Sequence, residues 1–206
     1  MPSVFPEGDG ADETMEEWDD FLNRLSKIHF AFHSSGDHIL DCILKTSKEM
    51  LQDRLCSNIK TASSVMNEIV SGRPVLTSDS TNVFVHMEDK VGVKAARGIV
   101  DGSNGKQSVC ISIDGPTSFT RNEFLGKPIQ FMTCRSLCMN VTKHKLVPKH
   151  SLVTETSFDS KNLPLISEAD PVVQYYNWPK GSVVKIERIF AGSEPVPYFR
   201  LISASN

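Results

Sequence analysis

Apolar residues recur at three- and four-residue steps through the first third of the chain, the spacing that gives a helix one apolar face. Trp18, Phe21, Leu22, Leu25 and Ile28 make one such stripe, and Ser34, Ser35 and Gly36 break it. Thr14 and Glu17 stand three apart just before it, the capping-box spacing of a helix start. A second helix is predicted from Asp37, with Ile39, Leu40, Ile43, Leu44, Met50, Leu51 and Leu55 on its apolar face. A third is predicted over residues 61–70, carrying Val65, Met66 and Ile69 and stopping at Ser71-Gly72-Arg73-Pro74.

Beyond Pro74 the period shortens to that of strands. Segments 83–85, 109–113 and 129–132 are strand-like, with Gly-, Asn- and Pro-containing loops between them at 101–105, 114–116 and 126–128. Helices followed by strands predict an α/β domain over residues 16–141, a small sheet flanked by helices. From 142 to 206 turn residues become frequent around strand-like segments 152–154, 183–189 and 198–202. Asp170 is a favoured N-cap and Pro171 suits a first helical position, so a short helix is predicted there. Trp178-Pro179-Lys180-Gly181 ends it, and the region is expected to form a compact mixed α+β module.

Charge changes this picture at one end. The formal net charge is −3 over 206 residues, but residues 1–20 hold eight acids and no Lys or Arg. The remainder carries 17 acids against 22 bases, a positive body behind an acidic stretch. Residues 1–15 are therefore expected to be an acidic disordered tail. Five cysteines without regular spacing suit free thiols in a reducing compartment. Neither a signal-peptide pattern nor a membrane-length apolar run is expected to operate here, since roughly 18 unbroken apolar residues are needed to span.

Candidate chemistry is sparse. Cys134-x3-Cys138 and His144-x5-His150 offer zinc-type ligands, but only five residues separate the pairs, and buried structural cysteines are the expected reading. His29, His33 and His38 approach helical spacing without the carboxylate that a hydrolytic zinc helix needs. Asp79 with Glu88 and Lys90 is the sharpest enzymatic alternative, a small Mg-dependent nuclease in which two carboxylates hold the ion and Lys90 stabilises charge. No phosphate-cradling glycine loop and no nucleophile elbow is present. The expectation is no catalytic group, no metal and no cofactor.

A longer pattern lies in the last third. His144-Lys-Leu-Val-Pro148-Lys-His150 precedes Leu163-Pro164-x-Ile166 and then Asp170-Pro171-Val172-x-x-Tyr175-Tyr176. Lys180-Gly181-x-Val183-Val184-Lys185-Ile186-x-Arg188 and Tyr198-x-Arg200-Leu201 follow in order. This series closely resembles the carboxy-terminal module of the fifth common subunit of eukaryotic nuclear DNA-directed RNA polymerases, a family with an archaeal branch. Upstream, Leu44-Lys45-Thr46, Met50-Leu51-Gln52-Asp53-Arg54, Val91-Gly92-Val93-Lys94 and residues 109–113 match it more weakly, so the resemblance covers most of 38–206.

The resemblance implies a non-catalytic polymerase subunit in the nucleus. Residues 142–206 would be an assembly domain docking on the largest subunit beside neighbouring small subunits. Residues 16–141 would be a jaw near downstream double-stranded DNA, held without sequence specificity and with no membrane contact. Lys90, Lys94, Arg97 and Arg121 are the bases expected near that DNA. His144, Pro148, His150, Pro164, Asp170, Pro171, Tyr175, Tyr176, Gly181, Lys185, Arg188 and Arg200 form the assembly and fold signature. Departures from the family pattern occur at Gln174, at Asn177-Trp178-Pro179, in a shortened stretch between His150 and Leu163, and at residues 189–195. They point to a divergent paralogue, similar to the RNA polymerase I-specific form of kinetoplastid protozoa, which would be nucleolar.

Overall fold

The computed structural model describes residues 9–28, 35–154, 162–189 and 194–204, with the backbone alone at 9–13. The chain divides into two units, Met1–Met139 and Asn140–Asn206.

In the first unit, helix α1 (Asp9–Ser26) packs on α2 (Gly36–Asp53). Phe21 and Leu25 of the α1 stripe are fully buried, and Trp18 meets Phe21 with ring centroids 5.7 Å apart. Ser35 caps α2, accepting from the His38 amide at 3.4 Å. The two helices approach so closely at Gly36 that a Cβ there would fall against the Leu22 carbonyl, 2.6 Å from its carbon and 2.7 Å from Cα. Only glycine permits that approach.

A five-stranded sheet follows, in the order β1-β2-β3-β5-β7. Its strands are β1 (Lys60–Thr61), β2 (Leu76–Thr77), β3 (Thr81–Val85), β5 (Gln107–Ser112) and β7 (Ile129–Thr133). β3, β5 and β7 are parallel, and β2 and β1 extend the sheet antiparallel beyond β3. Parallel strands covered on both faces read as continuous apolar runs. Every residue of β3 is buried, and five of the six in β5. Short strands β4 (Lys90–Val91) and β6 (Gly115–Pro116) pair in parallel and lead into α4 (Val93–Gly102) and α5 (Ser118–Glu123). One core cluster joins Phe84, Val91, Ala96, Ile99, Cys110, Phe124 and Ile129. Helices α3 (Val65–Val70) and α6 (Cys134–Leu137) complete the unit.

The second unit begins with a 3-10 turn, Val141–Lys143, and has a four-stranded sheet in the order β8-β10-β11-β9. These strands are β8 (Lys149–Leu152), β9 (Leu165–Ser167), β10 (Val183–Arg188) and β11 (Val196–Ser203). Helix α7 (Pro171–Tyr176) covers one face, its Val173 clustering with Ile166, Val184, Ile186 and Ile202. The fold is thus mixed α/β in both parts, with seven α-helices among the described residues.

Some sequence expectations are corrected. The region expected as a disordered tail is helical from Asp9. Acidic residues suit the positive end of a helix dipole, so an acidic stretch abutting an apolar stripe extends the helix. Thr14 therefore lies inside α1 and does not open it. Residues 60–61 form β1, so the third helix starts only at Val65. Residues 93–102 form α4, which the apolar pattern does not predict, because Val93, Gly98, Ile99, Val100 and Gly102 carry little helical propensity. His29 and His33 lie outside the described residues.

Candidate assembly surface

Asp170 builds the site locally. Its carboxylate accepts from the amides of Val172 and Val173 at 2.9 and 3.4 Å, and Pro171 fixes the backbone of the first turn. Asn177 then ends α7 in the left-handed conformation, where asparagine is among the tolerant residues. Tyr175 is buried, and its hydroxyl accepts from Asn140 Nδ2 at 2.9 Å. Asn140 Oδ1 accepts in turn from the Thr142 amide and hydroxyl, at 3.0 and 2.6 Å. The helix and the turn that opens the unit are thereby tied together. Tyr176 stacks on Trp178 with centroids 4.6 Å apart, and Gly181 turns the chain into β10 at φ 86°.

Strand register does the rest. Ile186 stands opposite His150 on β8 and opposite Tyr198 on β11. Val184 stands opposite Arg200, and Arg188 opposite Val196. A groove of about 400 Å³ opens where this face meets the start of α7. Six signature residues line it: Pro148, His150, Asp170, Pro171, Arg188 and Arg200. The groove floor is apolar, with Val147, Ile166 and Ile186 among its residues. Its polar side chains are held in place. Arg188 lies over the Tyr198 ring at 5.3 Å, Arg200 Nη1 donates to the Leu165 carbonyl at 3.0 Å, and His150 Nδ1 lies 2.7 Å from the Pro148 carbonyl oxygen.

The other signature residues stand elsewhere. His144 is exposed, its Nδ1 accepting from the Leu146 amide at 3.3 Å. Pro164 gives its carbonyl to the Leu201 amide at 2.9 Å. Lys185 bonds Glu187 at 2.7 Å on the opposite sheet face, and that hydrogen bond holds the Glu187 carboxyl below its ordinary value. What sequence reasoning missed was the apolar company of the groove. Leu146 is 82% exposed and Ile189 76%, and both line an adjoining hollow that shares Leu146, Val147, Pro148 and Arg188 with the groove. Large apolar side chains bare beside a groove were the available signal.

In the first unit the four bases expected near DNA have different surroundings. Lys90 is exposed on β4, Lys94 on α4 and Arg121 on α5. Arg97 is bound by Glu123 of α5, through Nη2 at 2.5 Å and Nε at 3.1 Å. Lys94 borders a cleft of about 980 Å³ at the carboxyl end of β3, where half-buried His86 stands 3.6 Å from Glu88.

The nuclease alternative finds no support. Asp79 and Glu88 lie before and after β3, whose five residues alone span about 16 Å at 3.3 Å each. Asp79 is occupied structurally, accepting from Ser57 Oγ at 2.9 Å and Asn58 Nδ2 at 2.8 Å. Those bonds lower its pKa. Among the described residues no group of three His, Cys, Asp or Glu side chains could hold a metal ion. Three of the five cysteines are poor nucleophiles too. Burial pushes the Cys110 thiol up to about 12 and raises Cys134 further, while Cys138 is also raised.

Residues 139–202, nearly the whole second unit, match the family described as RNA polymerase Rpb5, C-terminal domain. The unit is of that domain class. Likeness continues across the rest of the chain. A subunit RPABC1 of DNA-directed RNA polymerases I, II and III from Caenorhabditis briggsae is 27% identical over 192 residues, covering 85% of this chain and 90% of the relative. Its Dictyostelium discoideum namesake is 33% identical over 129 residues, 54% of this chain and 66% of that one. An Arabidopsis thaliana DNA-directed RNA polymerase V subunit 5A is 34% identical over 73 residues, 31% of this chain and 33% of its own. The carboxy-terminal unit thus matches the Rpb5 domain model, and the chain as a whole is similar to polymerase subunits of this kind.

Proposed function

We propose that the chain is a non-catalytic structural subunit of a nuclear DNA-directed RNA polymerase and docks on the largest subunit through its carboxy-terminal unit. The observation that carries this reading is the convergence of six signature residues on one groove with an apolar floor and fixed arginines. Such a surface combines desolvatable area with charged donors held in position, as protein interfaces do. Relatives named as polymerase subunits across most of the chain support the same reading.

The amino-terminal unit would then stand beside downstream DNA, with exposed Lys90, Lys94 and Arg121 toward the phosphates. Arg97, already neutralised by Glu123, would contribute less. The departures at Gln174, Asn177-Trp178-Pro179 and residues 189–195 support a paralogue fitted to one polymerase class, nucleolar if that class is polymerase I. Affinity purification of the tagged chain from its own cells is expected to recover the two largest polymerase subunits in near-stoichiometric amounts. Recovery of the chain alone would overturn the reading.

A further inference from the structure

We infer that the groove of the carboxy-terminal unit receives a segment of the largest polymerase subunit that carries carboxylates beside apolar residues. The inference rests on the docking reading above and deepens it.

Charge points to an acidic occupant. The groove and its adjoining hollow hold Lys145, Lys149, Arg188 and Arg200 against only two acids, Asp170 and Glu187. Both acids have internal work: Asp170 caps α7, and Glu187 bonds Lys185. Arg188 and Arg200 show no carboxylate partner among the described residues; their contacts are the Tyr198 ring and the Leu165 carbonyl.

Register spaces the two arginines. Arg200 stands opposite Val184, and Arg188 lies four residues further along β10. Four residues advance a strand by about 13 Å, so the guanidinium groups can share one carboxylate between them or take one each. Apolar side chains beside the carboxylates meet Val147, Pro148, Ile166 and Pro171 in the groove, and Leu146 and Ile189 in the adjoining hollow. Nucleic acid would bring phosphates but nothing to cover the apolar floor.

Photo-crosslinking in the intact polymerase tests this. A photoreactive amino acid is placed at Leu146 or Ile189 of the tagged full-length chain, and crosslinked peptides are mapped by mass spectrometry. The expected product is one segment of the largest subunit in which acidic and apolar residues stand together. The paired substitution Arg188→Glu with Arg200→Glu is expected to lower recovery of the largest subunit more than tenfold. Changing the mapped acids to Lys is expected to restore it, which a misfolded variant would not allow. Crosslinks to nucleic acid, to a segment without acids, or undiminished recovery of the double variant would each overturn the inference while leaving the docking reading intact. Failure of the unsubstituted chain to recover any polymerase subunit would overturn both.

Discussion

The two units solve the problem of covering a sheet in opposite ways. In the amino-terminal unit, β3 and β5 lie in the middle of a mostly parallel sheet and are buried almost throughout. In the carboxy-terminal unit the six-residue α7 covers one face, and β10 and β11 keep exposed or half-exposed residues along most of their length. The first arrangement spends its apolar residues inside. The second leaves Leu146, Ile189, Val196 and Tyr198 outside, next to fixed arginines. A small unit with spare apolar surface is suited to meeting a partner, and a filled sheet is suited to holding a shape.

The sharpest way to break this contrast uses two glycines. Gly36→Ala drives a Cβ into the Leu22 backbone, where neither helix can yield cheaply, and is expected to cost about 4 kcal/mol. Gly181→Ala meets nothing within 4 Å and bears only the strain of its positive φ, about 1 kcal/mol. Urea denaturation followed by circular dichroism would read both, and equal costs would show that α1 and α2 do not share so close a contact. Next in size is the α7 cap. Asp170→Ala removes the acceptor for two amides and is expected to cost about 1 kcal/mol by the same measurement. Thr117→Ala, which uncaps α5 by losing its bond from the Thr120 amide, should cost a similar amount in the other unit.

Smaller effects concern charge. In the assembled polymerase, Lys94→Ala is expected to lower the slope of log affinity for DNA against log salt by about 1. Arg97→Ala should change it less, since Glu123 already opposes that charge. A larger drop for Arg97 would reverse the ranking of the two bases. The smallest expected effect is acid-dependent. The Asn58 and Ser57 hydrogen bonds hold the Asp79 carboxyl below its unfolded value. Its stabilising contribution is therefore full above the ordinary aspartate range and lost as pH falls through the lower folded value. Asp79→Asn should flatten the acid limb of a stability profile taken from about pH 5 to about pH 2. An unchanged limb would deny Asp79 that part.

Elements were legible where a local rule and a tertiary role coincide. Asp170-Pro171 marks α7 because the cap and the first-turn proline act within a few residues. The stripes of α1 and α2 are legible because each helix buries one face. The two-residue strands β1, β2, β4 and β6 carry no period at all, and tertiary pairing alone makes them strands. The Rpb5 resemblance named the residues of the groove, yet not their meeting. Pro148, Asp170 and Arg200 converge only through the register of β8, β10 and β11, which no local pattern encodes. It likewise ranked Arg97 with Lys94, because the pairing with Glu123 spans two helices.

The edge of β8 bears on the fate of surplus copies. Among the described residues β8 pairs only with β10; backbone groups left unpaired along a strand are a template for any other strand, and Lys149 is the charged residue at its start. A copy made in excess of its partner would carry that edge and the bare Leu146 and Ile189 together. Such a copy is a substrate for self-association or for quality control, so the abundance of the chain in a cell would follow the supply of its partner.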